Sequence, residues 1–178
     1  VVTLSGANQT TLVNIETIIG GASTDTITLG SSGNTLRFEA LETLAGGAGK
    51  DVVTAAASGT FAIALLETLT GGGSTDVITS TGTGGITVAM QGIETLIGGS
   101  GNDAASLTGT NANDIWVSQI ETLIGNSGTD KVTLGNSGNQ IMVSQFETII
   151  GGTGTDVVTL EATFVVVDSV PVLQSNVI

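Results

Sequence analysis

One phrase of eleven residues is written six times along this chain, and it limits the available folds more than any other feature. An apolar residue, Glu-Thr, an apolar pair and a glycine-led turn end in Asp: IETIIGGASTD at 15–25, LETLAGGAGKD at 41–51 and LETLTGGGSTD at 66–76. IETLIGGSGND follows at 93–103, IETLIGNSGTD at 120–130 and FETIIGGTGTD at 146–156. Glu16, Glu42, Glu67, Glu94, Glu121 and Glu147 are spaced by 26, 25, 27, 27 and 26 residues, and the Asp column keeps the same spacings. Length therefore varies only between an Asp and the next Glu. A fixed period of this size is the mark of a repeat architecture, in which units too small to bury a core alone bury it by stacking.

Each Asp opens a short stretch rich in Val, Ile and Thr: DTITL, DVVTA, DVITS, DAASL, DKVTL and DVVTL. The second residue after Asp is apolar and the third is Thr or Ser, the period of two expected of a strand with one face inside. A second apolar stretch follows, and the Glu-Thr stretch supplies a third. Glycine recurs too often for helices, and no stretch has a 3.6-residue period. The expected fold is all-β: a right-handed parallel β-solenoid with three strands per coil of about 26 residues and six to seven coils. The array is expected over 1–160, with 161–178 a degenerate last coil or cap. The opening VVTL repeats the VVTL at 157–160, so the chain is expected to start in mid-coil, as a segment of a larger repeat protein or a subunit that stacks.

Charge excludes several functions. Sixteen acidic residues face three basic ones, for a net charge of −13. Nucleic acid and anionic membrane are unsuited partners, and no apolar run approaches the ~20 residues of a membrane span. With no Cys and no His there is no disulfide, no thiolate nucleophile and no zinc site of the usual kind. Arg37 is the sole Arg, Tyr is absent, and the carboxylates form a regular ladder rather than a single constellation, so no enzyme is expected.

Twelve of the acidic residues belong to the Glu and Asp columns. In a column one coil apart, carboxylates ~5 Å from each other repel by roughly 1 kcal/mol in water and ~3 kcal/mol at a dielectric of 20. That predicts a cation between them. Glycine turns expose carbonyl oxygens, and Ca²⁺ takes six to eight oxygens where Mg²⁺ demands a stricter octahedron. The bland alternative is an Asp that caps its turn by accepting main-chain N–H bonds. For the Glu column a solvated face or a backbone-bonding ladder is favoured over a second set of ligands.

GGAGKDVVT (46–54), GGSGNDAAS (98–106) and GGTGTDVVT (151–159) fit the nonapeptide GGxGxDxUx, where U is a large apolar residue. This resembles the RTX, or haemolysin-type, calcium-binding repeat of secreted bacterial proteins. The resemblance implies calcium held at Asp25, Asp51, Asp76, Asp103, Asp130 and Asp156 with carbonyls of the turns led by Gly20, Gly46, Gly71, Gly98, Gly125 and Gly151. It also implies secretion and folding triggered by external calcium. The chain departs from the family in keeping the motif in one nonapeptide of three, where the family runs them back to back in a two-sided roll of 18 residues per coil. The intervening turns (GSSGNT at 30–35, GTNAND at 109–114, GNSGNQ at 135–140) are faint relatives.

The function expected is a calcium-stabilised structural segment of a bacterial cell-surface protein: a surface-layer or filament subunit, or a stalk. Self-association through the solenoid ends is expected with it. An adhesin or toxin repeat region and a metal-free structural solenoid are the alternatives. Ice binding comes last, because the residue after Asp is Thr26, Val52, Val77, Ala104, Lys131 or Val157 and no double Thr rank forms.

Overall fold

The computed structural model describes residues 1–161 together with the strands Phe164–Val167 and Val170–Leu173. The strands in chain order are β1 (Val2–Thr3), β2 (Asn8–Leu12), β3 (Thr17–Ile19), β4 (Asp25–Leu29), β5 (Thr35–Glu39), β6 (Thr43–Ala45) and β7 (Val52–Ala55). Then come β8 (Thr60–Ala64), β9 (Thr68–Thr70), β10 (Val77–Ser80), β11 (Thr87–Gln91), β12 (Thr95–Ile97), β13 (Ala104–Leu107) and β14 (Asp114–Ser118). The last are β15 (Thr122–Ile124), β16 (Lys131–Leu134), β17 (Gln140–Ser144), β18 (Thr148–Ile150), β19 (Val157–Leu160), β20 (Phe164–Val167) and β21 (Val170–Leu173).

Odd-numbered strands β1 to β19 form one ten-stranded sheet, and even-numbered strands β2 to β18 form a second of nine, each in sequential order. Every pairing within them is parallel, from Val2 opposite Ile18 to Val143 opposite Leu160. The fold is a parallel β-solenoid of about nine turns. β20 and β21 pair with each other antiparallel, outside both sheets. Most of the chain after residue 161 lies outside the described residues, and with it the expectation of a cap or degenerate coil there. Among the described residues no helix is long and apolar enough to cross a membrane.

The expected coil of three strands is corrected to a coil of two, and the six to seven coils to about nine. Residues paired across one coil are 16 to 21 apart, as in Val2 with Ile18 and Thr95 with Trp116. A 26-residue repeat holds three strands, so it winds one and a half coils. Successive copies of the same phrase therefore fall on opposite sheets. The strands following Asp25, Asp76 and Asp130 (β4, β10, β16) lie in the nine-stranded sheet; those following Asp51, Asp103 and Asp156 (β7, β13, β19) lie in the ten-stranded one.

Strand alternation builds the core. β7, β10, β13 and β16 each alternate half-buried and buried residues. Ile27, Val53, Ile78, Ala105 and Val132, the second residues after Asp, are all buried. Each pairs with an apolar residue of the next Glu-Thr strand in its sheet: Leu44, Leu69, Leu96, Leu123 and Ile149. Phe38 of β5 and Phe61 of β8 meet edge to face with centroids 4.9 Å apart, the arrangement ring quadrupoles favour.

The corner before each Glu-Thr strand has its own conformational rule. Asn14, Ala40, Leu65, Gln119 and Gln145 all have positive φ, between 51 and 59°, and Gly92 completes the column at 63°. Each stands two residues before the Glu. The left-handed conformation costs a non-glycine residue roughly 1–2 kcal/mol, yet five of six copies keep a side chain there. The corner carbonyl explains the geometry: a Cβ on Gly20, Gly46, Gly71, Gly98 or Gly125 would collide with the carbonyl oxygen of Ala40, Leu65, Gly92, Gln119 or Gln145, one coil on. The first glycine of the phrase is the place where one coil's backbone rests on the next.

Candidate metal centre

Three kinds of corner stack along each edge: an Asn-type turn, an Asp turn, and the left-handed corner leading to Glu. Their register ties the acidic columns together. Asp25, Asp51, Asp76, Asp103 and Asp130 are fully buried at 0% exposure, which for a carboxylate demands partners.

Main-chain N–H groups supply them. One oxygen, Oδ2, accepts from the residue four earlier in its own turn: Gly21, Gly47, Gly72, Gly99, Asn126 or Gly152, at 2.6–2.9 Å. The other, Oδ1, accepts from the N–H of the residue 17 earlier, on the preceding coil: Asn8, Asn34, Gly59, Ile86, Asn113 or Asn139. Where that residue is Asn, its side-chain Nδ2 donates to the same Oδ1 at 2.7 Å. These donors hold the Asp25 carboxyl below the usual carboxylate range, the Asn8 side chain contributing most and the Gly21 N–H next. Asp156 is lowered likewise, first by the Asn139 side chain.

The Glu column faces the other way. Oε2 of Glu42, Glu67, Glu94, Glu121 and Glu147 accepts the main-chain N–H of Asp25, Asp51, Asp76, Asp103 and Asp130, one coil before, at 2.6–2.7 Å. The backbone-bonding ladder favoured from sequence is present at these five. Each repeat thus runs Asn or another residue, Asp, Glu through three successive coils.

The electrostatic premise for a cation is revised. Asp residues on one edge are three coils apart, about 14 Å at the strand spacing, rather than one. The carboxylate one coil on from Asp25, Asp51, Asp76, Asp103 and Asp130 is instead the Glu whose Oε2 accepts that Asp's main-chain N–H, and N–H donors around these carboxylates supply compensation of the kind a cation would give. Among the described residues no three acidic side chains gather into a cluster that could hold a metal. The expected ligands Asp25, Asp51, Asp130 and Asp156 each take three N–H donors, and the oxygens a hard cation would need are turned to them. Asp76 and Asp103 take two, with Oδ1 meeting a single main-chain N–H. The residues present therefore fit calcium poorly at four turns and better at two, where the turns led by Gly71 and Gly98 would add carbonyls. Gly20, Gly46 and Gly125 serve as backbone contact points, and Gly151 leads the turn of Asp156.

Sequence reasoning missed the Asn residues. Their signal is the constant offset of 17 before an Asp, in four copies of six, inside turns that resemble the nonapeptide only faintly.

A family model of the RTX calcium-binding nonapeptide repeat matches the chain in four copies, at residues 15–37 and 88–115. No curated protein and no solved structure matches it. These two segments are similar to the RTX repeat, and RTX nonapeptide repeats bind calcium ions. The second matched segment contains the intact GGSGND turn of Asp103.

Proposed function

From RTX-type repeats wound into an unbroken parallel solenoid, we propose that this chain is an extracellular structural segment of a bacterial cell-surface protein, stabilised by calcium at the turns ending in Asp103 and Asp76. The observation that carries this reading is the role of the acidic columns. Eleven of their twelve carboxylates are hydrogen-bonded from coil to coil, the work of an architectural element.

Proteins with RTX repeats are typically secreted, and the chain's lack of cations suits it to neither nucleic acid nor anionic lipid. A spacer or assembly subunit, whether of a surface layer, a filament or a stalk, uses what such a solenoid provides: a fixed length and two long parallel sheets. The runner-up is the repeat region of an adhesin or toxin, which needs a separate recognition module. No catalytic role is assigned, because eleven of the twelve column carboxylates are engaged in hydrogen bonds between coils.

Far-UV circular dichroism with Trp116 fluorescence tests the reading, in chelator and in millimolar calcium or magnesium. The expected result is β-structure in all three and a higher melting temperature with calcium alone. Identical melting in chelator and calcium overturns the metal and leaves a metal-free structural solenoid.

A further inference from the structure

The Asn side chains do more than cap an Asp. In the turn before Asp51, Asn34 Nδ2 lies 2.7 Å from the Ser32 carbonyl oxygen, 3.2 Å from that of Gly30 and 2.7 Å from Asp51 Oδ1. Asn139 repeats the set with Ser137 at 2.8 Å, Gly135 at 2.9 Å and Asp156 Oδ1 at 2.7 Å. Asn8 reaches the Gly6 carbonyl and Asp25, and Asn113 reaches the Asn111 carbonyl and Asp130.

In each case a carboxylate and one or two turn carbonyls converge on one nitrogen from two stacked coils. All these oxygens are acceptors, so the amide must present its two N–H groups, and a flipped Asn would set oxygen against oxygen. The ligand types are those calcium takes, turn carbonyls plus carboxylate, but the centre is a neutral donor. A second side chain acts similarly at the Asp130 turn. Asn126, in place of the phrase's second glycine, donates Nδ2 to the Asn111 carbonyl at 3.1 Å and the Thr108 carbonyl at 3.4 Å on the preceding coil.

We propose that Asn8, Asn34, Asn113 and Asn139 are built-in substitutes for a metal ion, so that the coil contacts at Asp25, Asp51, Asp130 and Asp156 close without calcium. The solenoid then has two kinds of contact. Asn-closed ones lie towards both ends, and the two without a side-chain amide, Gly59 on Asp76 and Ile86 on Asp103, lie together in the middle. The part of this that concerns Asp76 and Asp103 rests on the calcium reading above; the part that concerns Asn does not.

Equilibrium dialysis of the full chain against calcium chloride, with melting in chelator and in calcium, tests it. The wild type takes at most about two ions, and Asp51→Asn leaves that number unchanged. Asn34→Asp brings a second carboxylate into the oxygen set. It gains about one ion, and its melting temperature falls in chelator by roughly 5 °C or more and recovers in calcium. Should Asn34→Asp not fold in chelator, recovery on adding calcium upholds the inference equally, and Asn139→Asp repeats the measurement at another contact. A wild type that takes four or more ions, an Asp51→Asn chain that loses one, or an Asn34→Asp chain that gains none overturns the inference. A wild type that takes no calcium, with Asn34→Asp gaining an ion, upholds the Asn substitution and overturns only the assignment to Asp76 and Asp103.

Discussion

The main-chain N–H of Asp103 donates to Oε2 of Glu121 at 2.7 Å, eighteen residues on in the chain and one coil on in the stack. The bond fixes register: a slip of one residue would aim the donor at the wrong side chain and turn the apolar face outward. Glu121→Ala leaves the donor without its partner and is expected to cost about 1–3 kcal/mol. Glu121→Gln keeps an acceptor oxygen and should lose less. Urea unfolding monitored by Trp116 measures both, and equal losses would show that charge rather than acceptance matters.

Gly98→Ala sets a Cβ against the main-chain carbonyl of Gln119, which cannot swing aside, and 2.8 Å from Oδ2 of the buried Asp103. A loss of roughly 3 kcal/mol or more is expected, or no soluble folded chain. Gly73→Ala, with nothing within 4 Å of its Cβ, should stay within about 0.5 kcal/mol of wild type. Thermal melts of the pair separate close contact from glycine content.

The left-handed corners offer stability to be gained. Leu65, at φ 51° and 60% exposed, carries its conformational cost without burying its side chain. Leu65→Gly should stabilise by about 0.5–1 kcal/mol. Gly92→Ala has room, its nearest neighbour being 3.9 Å away, yet at φ 63° it should destabilise by about 1 kcal/mol. Opposite signs in a denaturant titration check the corner rule.

Acid should loosen the coils at Asp25 and Asp156. Both are lowered in the folded chain, so between the folded and unfolded values the unfolded chain binds more protons. Their contribution is complete above the ordinary carboxylate value of about 3.9 and is lost as pH falls through the lowered values. Removing the largest cause at Asp25, by Asn8→Ala, brings its protonation to a higher pH. Titration of the carboxyl by NMR reads the shift directly, and an unchanged midpoint would deny Asn8 its role.

The repeat, the core columns and the parallel stacking are legible in the sequence because alternation and spacing report each residue's surroundings. The number of sides is not. IETIIGG at 15–21 and LETLAGG at 41–47 look equivalent because the two sheets give them the same environment on opposite faces. Sequence period and structural period thus differ by a factor of one and a half. The repulsion argument for a cation at the Asp column depends on that period, since it sets Asp beside Asp where the carboxylate one coil away is a Glu. The fate of Asn34 or Asn139 was hidden for another reason: an amide in a turn looks the same whether it faces water or the oxygens of the next coil.

Winding one and a half coils per repeat gives copy number a parity. Inserting one 26-residue unit lengthens the rod by only about 7 Å but turns whatever follows it to the opposite face. Inserting two restores the facing and adds about 14 Å. Lengthening in pairs alters reach alone, whereas a single gain or loss also reverses orientation, so any surface shared with a neighbour selects for even steps.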